Sequence, residues 1–84
     1  MYYLYILECA DKTLYTGITV DLRRRVDEHN FSKLGAKYTK SRKPVKLVYS
    51  KKFRNRVTAS KEEFKIKMLT RKEKLEMIEN KKNI

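Results

Sequence analysis

The sequence predicts a small α/β domain in which helices flank a three-stranded antiparallel sheet, in the order β-β-α-β-α-α. Two short segments of alternating apolar residues, 2–8 and 13–18, are typical of strands. Later segments repeat apolar residues at the three- and four-residue spacing of helices. A chain of 84 residues favours one domain, which we expect over residues 1–80 with a frayed tail at 81–84.

The first two strands are predicted to form a hairpin, because the tetrapeptide CADK between them supplies a short polar turn. Tyr5 lies in the first strand, and Tyr15 and Gly17 lie in the second. In an antiparallel pair, any register with an even index sum places Tyr5 and Tyr15 on the same face. Gly17 is unexpected here, since glycine weakens a strand and often marks a close approach to a ligand or another backbone.

The segment TVDLRRRVDEHNF predicts the first helix, with Thr19 or Asp21 as its cap. Four residues at helical spacing share one face of this helix: Leu22, Arg25, Val26 and His29. Burying an unpaired Arg25 or His29 is costly, so both side chains are expected to have polar partners.

Residues 32–44 form a predicted basic loop, and residues 45–50 form the third strand. The next helix is predicted from about Thr58, with Thr58 or Ser60 as its cap. One stripe of this helix contains Val57, Lys61, Phe64 and Met68, and is widened by Ile66 and Leu69.

The last helix is predicted to begin after Thr70, which is its expected cap. Glu73 stands at the capping-box position, three residues further on. Leu75 and Ile78 are the expected core stripe of this helix.

The net charge of the chain indicates the kind of molecule that it binds. The 22 Lys and Arg residues against 10 Asp and Glu give a formal net charge of +12, which favours nucleic acid, above all DNA, over a membrane surface. A single cysteine, Cys9, excludes an internal disulfide and fits the reducing cytoplasm. No apolar run approaches the ~20 residues of a membrane span, and the opening MYYLYIL predicts a strand, not a signal peptide.

The residues that could carry chemistry suit phosphodiester hydrolysis. One Cys and one His cannot form a tetrahedral metal site, and no glycine-rich phosphate loop is present. An arginine can stabilise a pentavalent phosphate, and one carboxylate can hold a Mg²⁺ that keeps most of its waters. A tyrosine can act as a base if a cation lowers its pKa. The same pattern is also explained without catalysis, by a tyrosine-rich sheet core with arginines on the surface.

The ordered segments LYI (4–6), LYTGIT (14–19), LRRRVDEH (22–29) and ASKEEFKIKML (59–69) resemble the GIY-YIG nuclease superfamily. GAKYTKSRKPVKLVYS and KMLTRKEKLEMI are similar to its small stand-alone bacterial members, relatives of the N-terminal domain of the excision-repair nuclease. The resemblance implies the GIY-YIG fold and a metal-dependent DNA endonuclease, with DNA repair or recombination as its setting.

The resemblance also implies site residues. The family's catalytic residues match Tyr5, Tyr15, Arg25, His29 and Glu63. Glu63 is the expected ligand of one divalent ion, Mg²⁺ or Mn²⁺, and Glu62 is the register alternative. The sequence departs from the family at Leu4, where the first motif has glycine, and at Ile18 and Leu75, near which some members have lysine and asparagine.

A basic loop with an interleaved aromatic residue is typical of strand-binding proteins. The predicted substrate-binding residues are Gly17, Thr19, Lys37, Tyr38, Lys40, Arg42, Lys67 and Arg71. Two alternatives remain open: a nucleic-acid-binding module with a weak or lapsed active site, and an adaptor that meets an acidic protein. In the nuclease interpretation, an unidentified protein partner is one possible source of specificity.

Overall fold

The structure, a computed structural model, describes residues 1–32 and 34–82. Its strands are β1 (Tyr2–Glu8), β2 (Leu14–Thr19) and β3 (Lys46–Phe53), and its helices are α1 (Leu22–Phe31), α2 (Lys37–Lys40), α3 (Arg56–Lys67) and α4 (Arg71–Lys82). The three strands form one antiparallel sheet in the order β2-β1-β3. The predicted fold and element order are confirmed, with the short α2 added inside the predicted basic loop.

The hairpin register places the two tyrosines as predicted. Tyr5 pairs with Gly17 and Leu7 pairs with Tyr15, so Tyr5 and Tyr15 share one face of the sheet. The turn between β1 and β2 places Lys12 in the left-handed region, with φ of 71°.

Each face of the sheet packs on different helices. On one face, β1 and β2 pack on α1. The cluster there comprises Tyr5, Leu7 and Tyr15 of the strands, Leu22 and Val26 of α1, and Cys9 and Val45, which lie next to strand ends. On the other face the core joins the sheet to α3 and α4, and its buried members are Leu4, Ile6, Ile66 and Ile78. The candidate catalytic tyrosines therefore face α1.

The helix caps agree with the sequence in two cases and differ in the third. Asp21 caps α1 by accepting a hydrogen bond from the Arg24 N–H at 3.1 Å. The Thr70 N–H donates to Glu73 at 2.9 Å in the predicted capping box. The predicted start of the second long helix at Thr58 is wrong: α3 begins at Arg56, because the Asn55 side chain accepts from the Thr58 N–H at 2.9 Å.

The apolar stripe that the sequence shows on α3 is only partly buried. Val57, Phe64 and Met68 are 65, 68 and 72% exposed, whereas Ala59 and Ile66 are buried. The side of α3 that carries Ala59 and Ile66 therefore packs on the sheet, and the side that carries Val57, Phe64 and Met68 faces outward. In α4, Ile78 is buried as predicted, but Leu75 is 39% exposed.

Two further boundaries differ from the sequence prediction. β3 continues to Phe53, and a β-bulge interrupts its pairing with β1: Ile6 pairs with Tyr49, while Leu7 pairs with Leu47. α4 continues to Lys82, so part of the predicted frayed tail is helical, and residues 83 and 84 lie outside the described residues. Among the described residues, no helix has the length and apolarity of a membrane span.

Candidate active site

A buried chain of hydrogen bonds connects β1, α1 and α2. The Tyr5 hydroxyl lies 3.0 Å from His29 Nε2, and His29 Nδ1 lies 2.8 Å from Thr39 Oγ1. The Thr39 hydroxyl donates to the Ala36 carbonyl at 3.0 Å. Tyr5 is 1% exposed, and His29 and Thr39 are fully buried. The polar partner expected for His29 is therefore present on both ring nitrogens.

These bonds favour one tautomer of His29. Thr39 has a single hydroxyl hydrogen, and the Ala36 carbonyl accepts it. Thr39 Oγ1 is then the acceptor for a proton on His29 Nδ1, so Nε2 is unprotonated and accepts from the Tyr5 hydroxyl. The Ala36 N–H approaches Nδ1 only at 3.4 Å, a longer contact than the 2.8 Å one to Thr39.

Burial changes the proton affinity of two residues in this chain of hydrogen bonds, His29 and Tyr5. It lowers the pKa of His29 to about 4, and the neighbouring Arg25 charge acts in the same direction. Burial also raises the pKa of Tyr5; a hydrogen bond from Arg25 opposes that shift, while the charges of Tyr15 and Glu63 add to it. At neutral pH, His29 is an uncharged imidazole and Tyr5 is a protonated phenol.

Gly17 is where the Tyr5 ring approaches the backbone of β2. A Cβ atom on Gly17 would stand 2.5 Å from the Tyr5 hydroxyl oxygen and 2.7 Å from its Cζ. The close approach suggested by the sequence is therefore made by a tyrosine of the same sheet. A substrate contact at Gly17 stays a prediction.

Tyr15 lies beside this chain of hydrogen bonds, in a cluster of aromatic rings. Its ring centroid is 5.3 Å from that of His29 and 6.3 Å from that of Tyr5. Tyr38 stacks on Tyr15 at 5.9 Å, and the Arg42 guanidinium lies 4.0 Å above the Tyr38 ring. Tyr38 thus contacts a predicted catalytic residue, in addition to its predicted role in substrate binding.

Arg25 stands at the edge of the cluster. Its Nη1 donates to Glu28 Oε1 at 3.0 Å and to the Leu34 carbonyl at 2.7 Å. Partial burial acts to lower the pKa of Arg25, but hydrogen bonds to Glu28 and Tyr5 raise it overall. The guanidinium therefore keeps a fixed positive charge next to the Tyr5 hydroxyl.

α3 points its two adjacent glutamates in different directions, since successive helical residues are about 100° apart. The Glu63 charge raises the pKa of Tyr5. The Glu62 charge instead adds to the burial that raises the pKa of Tyr49. Glu63 is therefore the glutamate near the tyrosine cluster. Its side chain is 23% exposed and pairs with Lys67 Nζ at 3.4 Å.

Several predicted substrate-binding residues hold the fold together. Arg42 Nε donates to Asp11 Oδ2 at 3.0 Å and so ties the end of α2 to the β1–β2 turn. Arg71 Nη1 donates to the Lys12 carbonyl of the same turn. The Thr19 hydroxyl accepts from the Asp21 N–H at 3.2 Å. Lys37 and Lys40 are exposed on α2. Contact of any of these residues with substrate stays a prediction.

The sequence did not predict two polar residues whose hydrogen bonds support the cluster. Thr39 lies on a four-residue helix that no apolar period indicates. Asn30 follows His29 on α1 and makes a reciprocal pair with the Val45 backbone, at 3.0 and 2.8 Å. Both partners come from distant parts of the chain, so no local pattern could have identified them.

The donors present fit a divalent ion of the Mg²⁺ or Mn²⁺ type. Among residues 1–32 and 34–82, no three His, Cys, Asp or Glu side chains converge on one point. Two carboxylates act on the cluster: Glu28, which pairs with Arg25 at 3.0 Å, and Glu63, whose charge acts on Tyr5. Mg²⁺ is commonly held by one or two carboxylates, with waters and substrate phosphates as its other ligands.

Comparison with known proteins gives one consistent family. The GIY-YIG catalytic domain matches residues 1–81. A UPF0213 protein of Syntrophus aciditrophicus is 55% identical over 76 residues, covering 90% of this chain and 87% of that protein. One of Streptococcus agalactiae serotype V is 51% identical over 81 residues, covering 96 and 91%. The solution NMR structure of a UPF0213 protein from Bacillus halodurans is similar at a TM-score of 0.63 and 41% identity, covering 96 and 86%.

Proposed function

Because this chain belongs to the GIY-YIG nuclease family, we propose that it is a metal-dependent endonuclease that hydrolyses phosphodiester bonds in DNA. The observation that carries this proposal is the cluster of Tyr5, Tyr15 and His29, whose ring centroids lie within 6.3 Å of one another. The charges of Arg25 and Glu63 both act on its Tyr5 hydroxyl.

The exposure of the two tyrosines supports a different role for each. Tyr5 is buried, its pKa is raised and its hydroxyl is bonded to His29. Tyr15 is only partly buried, so it is the tyrosine that meets the attacking water: its hydroxyl first releases its own proton to solvent, and the resulting phenolate takes the proton of the water. Tyr5 and His29 pack beside the Tyr15 ring and position it. In this assignment Tyr15 is the one residue of the three that accepts a proton on the substrate side.

Arg25 and Glu63 act on the phosphate. The Arg25 guanidinium stabilises the negative charge that develops on the pentavalent phosphorus, because it stays protonated and is already oriented by Glu28. Glu63 would hold the divalent ion, which supplies Lewis-acid polarisation of the scissile phosphate when it is bound.

The basic surface would hold the DNA backbone. Lys37 and Lys40 are exposed on α2, next to the Tyr38 that stacks on Tyr15, and the net charge of +12 adds long-range attraction to phosphates. DNA repair or recombination in the cytoplasm is the proposed setting. The buried free thiol of Cys9 is compatible with that compartment.

The proposal is tested with labelled duplex, single-stranded and branched DNA, each with Mg²⁺, Mn²⁺ or EDTA, with binding measured in the same samples. We expect cleavage of at least one substrate that EDTA abolishes. Tyr15→Phe should lose cleavage and keep binding. Tyr49→Phe, a change to a partly buried tyrosine of the opposite core, is the matched control and should retain both.

One observation favours the alternative of a binding module. Arg25 is paired with Glu28 at 3.0 Å and Glu63 with Lys67 at 3.4 Å, so both proposed phosphate-directed groups have partners within the chain. A substrate must compete with these ion pairs. Binding of every DNA form without metal-dependent cleavage would establish the module instead of the nuclease.

A further inference from the structure

The outward side of α3 carries an apolar stripe that no described part of the chain covers. Val57, Phe64 and Met68 lie along one line of the helix, at spacings of seven and four residues. They are 65, 68 and 72% exposed. Single exposed apolar residues are normal on protein surfaces, but three large ones in line form a patch typical of an interaction site.

An open groove of about 640 Å³ runs along the part of this stripe that contains Val57 and Phe64. The residues that line it all belong to α3: Arg56, Val57, Ser60, Lys61, Phe64 and Lys65. One helix supplies only one wall of a binding site. The opposite wall must therefore come from another molecule, and an apolar helix face laid along α3 has the matching shape.

The charges beside the stripe indicate the chemistry of that molecule. Arg56, Lys61 and Lys65 border the groove, and within residues 1–32 and 34–82 none of the three forms an ion pair. A partner with carboxylates on both sides of an apolar stripe would complement this arrangement. A second copy of the chain would not, because it would bring the same cations together on a protein of charge +12.

Nucleic acid also complements cations, but it suits this surface less well. Phosphates would pair with Lys61 and Lys65 and leave Val57 and Met68 in water. Phe64 is the one aromatic side chain among the residues that line the groove, whereas strand-binding surfaces stack successive bases on several.

We propose that the outward stripe of α3 is the docking site for an acidic amphipathic helix of a partner protein. Its apolar face would cover Val57, Phe64 and Met68, and its carboxylates would pair with Lys61 and Lys65. Glu63 leaves α3 about 120° away from this stripe, so a docked partner stands beside the candidate active site and leaves it open. This inference goes beyond the proposed nuclease function and does not depend on it.

The test uses a designed helical peptide of about 15 residues, a length that limits fraying, with leucines at the stripe's spacing and glutamates on both sides. The peptide is titrated into the ¹⁵N-labelled full chain. We expect amide shift changes concentrated in α3. Phe64→Ser and Lys61→Glu should each weaken binding roughly tenfold or more, as loss of an interface anchor does.

The chain offers matched controls. Phe31→Ser removes an 85% exposed phenylalanine of α1, and Lys72→Glu reverses an exposed charge on α4; both should bind the peptide as the wild type does. Each of these results would overturn the proposal: a scrambled peptide that binds equally well, shifts centred outside α3, a Phe64→Ser protein with unchanged affinity, or a duplex oligonucleotide that binds the stripe more tightly than the peptide. Self-association that Phe64→Ser abolishes would overturn it in favour of a second copy.

Discussion

Single residues determine how the Tyr5 hydroxyl is held. The Thr39 hydroxyl donates to the Ala36 carbonyl and lies 2.8 Å from His29 Nδ1, so it selects the tautomer whose Nε2 accepts from Tyr5. Gly17 leaves space for the Tyr5 ring. Both residues position the cluster through contacts within the protein.

Replacing Thr39 tests the tautomer. Thr39→Val removes the acceptor for Nδ1–H, so we expect the protonated nitrogen of His29 to change, as read from ¹⁵N chemical shifts of the ring. Cleavage should fall on the order of tenfold or more. Thr39→Ser keeps the hydroxyl and should restore both measurements. An unchanged His29 spectrum in Thr39→Val would refute the assignment.

Replacing Gly17 tests the packing of Tyr5. Gly17→Ala brings a Cβ to within 2.5 Å of the Tyr5 hydroxyl oxygen, so we expect the free energy of unfolding in urea to fall by about 1–3 kcal/mol. In a Tyr5→Leu background the same change should cost much less, because the clashing ring is absent. Equal costs in the two backgrounds would show that the ring is not the cause.

The sequence could predict those parts of the cluster that follow from the periodicity of a single strand or helix. Strand alternation put Tyr5 and Tyr15 together, and helical spacing put Arg25 and His29 on the inward face of α1. It could not predict Thr39, since the partner of His29 comes from a four-residue helix that has no apolar period.

At the scale of elements, α3 decides what faces the site and what faces solvent. It buries Ala59 and Ile66 and leaves Val57 and Phe64 exposed, and the charge of Glu63 on the same helix acts on Tyr5. Periodicity alone could not show which side of α3 faces the sheet, because the outward residues are larger and more apolar than the buried Ala59. The helix was predictable from sequence, but its rotation depends on how closely small residues let it approach the sheet.

The observed cap can be tested against the predicted one. Asn55→Ala removes the acceptor for the Thr58 N–H, so we expect a loss of about 1 kcal/mol in the free energy of unfolding. Ser60→Ala, at a position the sequence suggested as a cap, should stay within about 0.5 kcal/mol of the wild type. Thermal and urea unfolding of both variants measure this; a larger loss for Ser60→Ala would contradict the observed start of α3.

At the scale of the whole molecule, one buried imidazole links stability to pH. The pKa of His29 is about 4 in the folded chain, below the ordinary value of about 6.5 that the unfolded chain has. The stabilising effect of a neutral His29 is therefore complete above about pH 6.5 and is lost as the pH falls toward 4. Between these values the unfolded state binds a proton that the folded state does not.

We therefore expect the free energy of unfolding to decrease by up to about 1.4 kcal/mol per pH unit in this window because of His29 alone. His29→Gln cannot be protonated, and its stability should depend less steeply on pH from 6.5 to 4. Carboxylates contribute equally to both proteins, so the difference between their unfolding curves isolates His29. Parallel curves would exclude a buried neutral imidazole.

The whole chain is also strongly cationic, with a net charge of +12. Binding of duplex DNA should therefore weaken steeply as salt is raised, because phosphate contacts release counterions. Composition alone could predict this property. The division of the cations between surface lysines such as Lys37 and structural arginines such as Arg42 required the structure.

The central claim is that Glu63 and the tyrosine cluster form a metal-dependent nuclease site, and two adjacent glutamates test it directly. Cleavage of the best DNA substrate in Mg²⁺ or Mn²⁺ is measured for wild type, Glu63→Gln and Glu62→Gln, with DNA binding followed in parallel. We predict that Glu63→Gln abolishes cleavage and keeps binding, while Glu62→Gln, on the side of α3 that faces Tyr49, cleaves like the wild type. Full activity in Glu63→Gln, or equal loss in both variants, would contradict the account.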